Sequence, residues 1–173
     1  CAIRSTAPTP SPRLWPRSKR RPRSPRAASR RGRRWLDHSR RPRGLHALLA
    51  EDDDGHAALV VDGLAGLAWV QRVTTLAEAR EVLRVAVPDV VLCDLRGTSS
   101  AEPDIVATDL RVALDAAGKR VRMNVPLILA SGVDPHVLHD LAARLPHTHA
   151  LCKPFSRASL RGVVARATGE RAA

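Results

Sequence analysis

Four short apolar runs in this sequence each end on a group that can do chemistry. Residues 45–50 lead into Glu51-Asp52-Asp53-Asp54, residues 90–93 into Asp94, residues 127–130 into Ser131, and residues 149–152 into Lys153. Taken singly, each group has a plain explanation. Acids at a helix start complement the helix dipole, a serine before glycine makes a turn, and a lysine before proline is a solvated strand end. Together they are harder to explain that way. At ~4 Å and an effective dielectric of about 20, each pair of like charges costs about 4 kcal/mol before screening. A hard divalent cation relieves that repulsion, and Mg²⁺ accepts a few carboxylates while keeping several waters. A lysine and a hydroxyl beside such a cluster suit a phosphoryl group, one as a cation and the other as a hydrogen-bond donor.

The chemistry requires that these four segments meet, so the elements between them matter. The run 45–50 reads as a first strand. Residues 55–67 come next with a helical stripe of Ala57, Ala58, Val61, Leu64 and Ala65, weakened by Gly63 and Gly66 at about 1 kcal/mol each relative to alanine. Residues 69–73 form a second strand. Thr75 caps a helix over 76–85, with Glu78 placed as in a capping box. The run 90–93 is apolar throughout, as a strand buried on both faces is. Residues 97–103 form a polar loop, and 104–117 a third helix closed by Gly118, with a basic connector over 119–124 after it. The strand over 127–130 precedes a helix over 135–145 with Pro135 in its first turn. The strand over 149–152 precedes a last helix capped by Ser156. Strands and helices thus alternate five times, which predicts an α/β fold: a five-stranded parallel sheet, doubly wound, with right-handed crossovers. All five strands then point the same way, and the residues just past their carboxyl ends gather at one edge of the sheet.

Charge divides the chain in two. The whole carries +12 over 173 residues. Residues 1–44 hold 15 of the 29 lysines and arginines and a single acid, Asp37, hence +14; the other 129 residues, with 14 bases and 16 acids, carry −2. The basic stretch also holds 7 of the 13 prolines. It is expected to be disordered, and either binds nucleic acid by counterion release or is text from upstream or frame-shifted reading. Cys1 opens the chain and Met123 is the one methionine, so residue 1 is not an ordinary start. The remainder is one domain of ordinary size. Cys1, Cys93 and Cys152 lack metal-ligand spacing, and reduced thiols point to the cytoplasm. No apolar run approaches the ~20 residues of a membrane helix, nor does the N-terminus have a signal-peptide core. His136, His139, His147 and His149 read as solvated surface histidines.

The pieces LLAEDD at 48–53, VVLCDLR at 90–96, LILASG at 127–132 and LCKPF at 151–155 resemble the response-regulator receiver domain of two-component signalling, over residues 45–167, with 168–173 left as a C-terminal tail. The resemblance implies a flavodoxin-like strand order, 2-1-3-4-5, and a phosphoacceptor signalling domain rather than an enzyme, one that assists its own phosphotransfer and dephosphorylation. It implies Asp94 as the phosphoacceptor, Mg²⁺ held by Glu51, Asp52 and Asp94 with the backbone carbonyl of Arg96, Ser131 as the hydroxyl that senses the phosphoryl group, and Lys153 as its cationic partner. Asp53 would replace Asp52 if the register slipped by one. The Lys-Pro bond is often cis in this family. The implied partner is a sensor histidine kinase or a phosphotransfer protein, and a downstream protein reads the altered surface.

Three departures bear on the output. Ala150 stands where the family usually has an aromatic. The loop after Asp94 reads Arg96-Gly97-Thr98-Ser99-Ser100 rather than the usual pattern, and the segment from Asp94 to Ser131 is longer than common. With no second domain expected after residue 167, the chain reads as a stand-alone receiver or one cut from a larger protein. Two rival functions are a docking receiver that takes no phosphate and a nucleic-acid-binding protein acting through residues 1–44.

Overall fold

The computed structural model describes residues 44–96, 98, 99 and 101–169. The basic stretch expected to be disordered lies outside them apart from Gly44, as does the C-terminal tail beyond Gly169. Five strands alternate with five helices: β1 (Leu45–Ala50), α1 (Asp54–Gly63), β2 (Ala68–Val73), α2 (Leu76–Val85), β3 (Val90–Asp94), α3 (Pro103–Val121), β4 (Leu127–Ser131), α4 (Pro135–Arg144), β5 (Thr148–Cys152) and α5 (Arg157–Thr168). The strands form one parallel sheet in the order β2-β1-β3-β4-β5. This is the doubly wound, flavodoxin-like arrangement expected from the sequence.

The alternation of side chains along a strand sends apolar groups to both faces. Leu48, Ala50, Val91, Cys93, Leu127 and Leu129 pack with α2, α3 and α4 through Leu83, Leu110, Leu114 and Leu138. Ala47, Leu49, Val90, Leu92 and Ile128 pack on the other face with α1 and α5 through Val60, Leu64, Leu160 and Val164. Chain direction across the sheet reverses between β1 and β3, so the carboxyl ends of these two neighbours flank the switch point where ligands bind in such sheets.

Local signals set most element ends. Asp53, Thr75, Asp134 and Ser156 each accept a backbone N–H at a helix start. Thr75 caps α2 as predicted, and Glu78 reaches back to accept from the N–H and hydroxyl of Thr74, a variant of the capping box. Two helices depart from their expected limits. The first ends at Gly63, not 67, because the chain turns through Gly66 (φ 80°) into β2. The third does not close at Gly118. It continues to Val121, so the first half of the expected connector is helical, and Arg122 closes it in the left-handed region (φ 56°). The N–H groups of Arg122 and Met123 both reach the Gly118 carbonyl, the second being the 6→1 bond of a Schellman closure. Gly118 permits that turn, since a Cβ there would lie 2.2 Å from the Met123 carbonyl oxygen. The buried Arg111 of α3 ties the same segment down, donating to the Val125 carbonyl at 2.8 Å and pairing with Asp115 at 2.6 Å. The last helix runs one residue past the expected boundary, to Thr168, and Gly169 (φ 61°) caps it.

Candidate functional site

The carboxyl ends of β1, β3, β4 and β5 converge as the alternation requires. Glu51 directly follows β1 and is 2 % exposed; Asp94, the last residue of β3, is 9 % exposed. Lys153, one residue past β5, reaches both: its Nζ donates to Asp94 Oδ2 and to Glu51 Oε2, each at 2.8 Å. Burial alone would lower the Lys153 pKa; hydrogen bonds to Asp94 and Glu51, and their charges, outweigh it and raise the pKa above the ordinary lysine value. The lysine is therefore a fixed cation between two buried acids. Lys153-Pro154 is the cis peptide that the resemblance implied.

Each carboxylate is also held by backbone. Asp94 Oδ1 accepts from the N–H of Arg96 at 3.1 Å, and Glu51 Oε1 from the N–H of Asp53 at 3.2 Å. Asp52 is exposed, but its carboxylate joins those of Glu51 and Asp94: one oxygen from each lies within 4.8 Å of the others. Asp53 is turned to another use. It caps α1, accepting from the His56 N–H at 2.7 Å, and that bond foremost holds its pKa below the usual carboxylate range. Glu51, Asp52 and Asp94 are the acids that cluster, while Asp53 serves as the cap of α1.

The cluster suits a hard cation. It offers carboxylate oxygens and no sulfur or imidazole, its two buried acids share one lysine, and its third acid faces water. That donor set suits Mg²⁺, a hard cation that takes a few carboxylates and retains waters.

Ser131 ends β4 and is fully buried. Its Oγ accepts from the N–H of Val133 at 3.3 Å, within its own turn, while its carbonyl accepts from the N–H of Lys153 at 2.8 Å. The serine is thus tied to the lysine through backbone. Arg96 is exposed, and its N–H serves Asp94. His136 and His139 are exposed, as expected; His149 is half-buried, and burial, then the charges of Arg166 and His147, lower its pKa.

Two further residues shape the site. Thr98, buried in the loop after β3, donates from Oγ1 to the Asp94 carbonyl at 2.7 Å, and its own carbonyl accepts from the N–H of Leu76 at the start of α2. Arg72, near the end of β2, donates to the carbonyls of Glu51 and Asp52 at 2.9 and 2.8 Å and pairs with Asp54 at 2.6 Å. The sequence marks neither strongly. Thr98 lies in a polar loop, and Arg72 is one of two polar residues in an edge strand.

Solved structures of matching shape point one way. A response regulator receiver protein from Sinorhizobium medicae shares 25 % identity over 75 % of this chain and 98 % of its own, with a TM-score of 0.60. The receiver domain of a sensor histidine kinase from Pseudomonas aeruginosa, solved with a magnesium ion coordinated in its active-site cleft, shares 24 % over 73 % and 98 %, with a TM-score of 0.59. This chain has the receiver-domain fold. The chemotaxis response regulator CheY4 of Vibrio cholerae shares the receiver fold too, at 19 % identity over 72 % of this chain and 98 % of its own, with a TM-score of 0.58. No protein-family model matches the sequence, and neither does any curated protein. The receiver fold is that of signalling domains, and among the described residues no helix is long and apolar enough to cross a membrane.

Proposed function

We propose that the protein is a response-regulator receiver in which Asp94 accepts a phosphoryl group from a phosphohistidine of a sensor kinase or phosphotransfer protein. The observation that carries this reading is the bridge from Lys153 Nζ to Asp94 and Glu51, at 2.8 Å each, beside the Asp52 carboxylate. A carboxylate oxygen of Asp94 forms the new O–P bond as the N–P bond to the donor imidazole breaks and the imidazole nitrogen leaves with the electron pair. Such a transfer depends on positioning and charge neutralisation more than on covalent chemistry from the protein. Glu51, Asp52 and Asp94, with the Arg96 carbonyl, would hold Mg²⁺, which when bound neutralises charge on the phosphoryl oxygens. Lys153 supplies a cation fixed to the nucleophile before the donor arrives. Hydrolysis of the acyl phosphate returns Asp94 to its carboxylate.

The output runs through Ser131. Its hydroxyl would donate to a phosphoryl oxygen on Asp94, and the Val133 N–H is hydrogen-bonded to it, so a shift of Ser131 draws the turn at 132–134 along. Asp134 in that turn caps α4, so α4 and β5 move with it. Ala150, half-buried on β5, supplies no aromatic ring to relay the change. That leaves the turn itself as the relay. A switch works because modification favours one of two states.

Intact mass after incubation with acetyl phosphate tests the reading. One phosphoryl group is expected in Mg²⁺, none after chelation and none in Asp94→Asn. A folded protein that binds Mg²⁺ yet gains no mass would replace this reading with a docking receiver that takes no phosphate.

A further inference from the structure

Receiver chemistry draws on β1, β3, β4 and β5, yet here the edge strand β2 also reaches the site. The Arg72 guanidinium donates through Nε to the Glu51 carbonyl and through Nη2 to the Asp52 carbonyl, and pairs through Nη1 with Asp54. Two of these three bonds along one planar fork hold the backbone of Glu51 and Asp52, the two acids of the expected metal set that follow β1. We propose that Arg72 is a positioning residue that fixes the acidic loop in its ion-binding shape before any ion arrives. The proposal rests on the receiver reading above.

The geometry of the loop supports this role. Glu51 is fixed at its side chain by Lys153 and the Asp53 N–H, and Arg72 fixes it at its carbonyl. Asp52 is exposed, and its carbonyl is clasped by Arg72. Without that clasp, the Asp52 carboxylate would hang from a backbone that has to be ordered as the ion binds. With it, the ordering occurs on folding, and ion binding is relieved of that cost. Partners that orient ligands from behind typically change metal affinity by about 10- to 100-fold when removed.

A cation beside a cation site also has an opposing effect, since it repels the incoming ion. Arg72 is paired with the exposed Asp54 (94 % exposed), which with water screens its charge. The fork geometry is therefore the dominant contribution. Lysine separates the two effects, because it keeps the charge but cannot span two carbonyls and a carboxylate in a plane.

The test is Mg²⁺ binding without any phosphoryl donor, monitored by amide chemical shifts in the full chain, together with amide hydrogen exchange in the ion-free state. Arg72→Ala and Arg72→Lys should each weaken Mg²⁺ binding by about tenfold or more. Exchange should quicken at residues 51–54 and stay unchanged at 91–93 on β3, which separates local positioning from a general loss of stability. Affinity within twofold of wild type in Arg72→Ala, tighter binding in that variant, or full retention in Arg72→Lys would each overturn the role of the fork while leaving the receiver reading intact. Failure of the wild-type protein to bind Mg²⁺ would overturn both.

Discussion

Lys153 and Glu51, 102 residues apart in sequence, meet at 2.8 Å, and the same ammonium reaches Asp94. Glu51 is 2 % exposed, so removing the lysine strands a buried carboxylate. Lys153→Met should lose stability near the lower end of the roughly 3–5 kcal/mol for a severed buried pair, read by urea unfolding at pH 7.5. The pH dependence has a definite sign. The folded-state pKa of Lys153 is raised, so its stabilisation is complete below the unfolded lysine value near 10.5 and is lost as pH rises through the folded value. Wild type should therefore show a fall in stability above pH 10.5 that Lys153→Met lacks. Parallel curves for the two proteins would show that the lysine does not carry the effect.

Much of this site was legible because strands buried on both faces read as continuous apolar runs, while the helices between them carry a longer period. Apolar runs at 45–50, 90–93, 127–130 and 149–152 fixed which residues stand at the carboxyl edge, and Glu51, Asp94, Ser131 and Lys153 stand there. Arg72 and Thr98 escaped the same logic. Their roles come from side chains bonding to backbone carbonyls of other segments, and no spacing rule encodes such a bond. The limits of α3 were misread for a related reason. Gly118 has the composition of a helix stop, but its missing Cβ serves the approach of the Met123 carbonyl, a contact made only once the chain turns back.

That turn yields a paired prediction. A Cβ at residue 118 would meet the Met123 carbonyl oxygen at 2.2 Å, and backbone yields less readily than a flexible side chain. Gly118→Ala should destabilise by about 1–3 kcal/mol, the usual range for overpacking. Arg122 sits at φ 56°, where a side chain is unfavourable. Arg122→Gly should stabilise by up to about 1 kcal/mol, offset in part by the entropy glycine adds to the unfolded chain. Thermal unfolding of both variants checks the two signs at once. A Gly118→Ala protein as stable as wild type would mean that the turn has room to relax.

Cys93 lies one residue before the proposed phosphoacceptor, and its thiol should nevertheless be inert. Burial, only partly opposed by a contact with Thr98, pushes its pKa up to about 12, and the thiolate is the reactive form. After iodoacetamide treatment of native protein at pH 8, peptide mapping should show Cys93 unlabelled and the half-buried Cys152 labelled, with both modified in urea. Labelling of Cys93 at the rate of Cys152 would show that β3 opens readily.

Thr98 tests how the loop after β3 is anchored. Its hydroxyl donates to the Asp94 carbonyl at 2.7 Å in a buried setting, and its carbonyl holds the first N–H of α2. Thr98→Val keeps the shape but removes the donor, leaving a carbonyl without that partner at the base of the phosphoacceptor. The expected cost is about 1–3 kcal/mol. Thr98→Ser keeps the hydroxyl and should lose less than half as much, the remainder coming from the missing methyl. The loop also carries Arg96, whose N–H positions Asp94 Oδ1. Thr98→Val should therefore slow Mg²⁺-dependent phosphorylation by acetyl phosphate severalfold, while Thr98→Ser stays near wild type. If both variants lose stability equally, methyl packing rather than the hydrogen bond holds the loop. If Thr98→Val loses stability but is phosphorylated at the wild-type rate, the anchor serves the fold and not the position of Asp94.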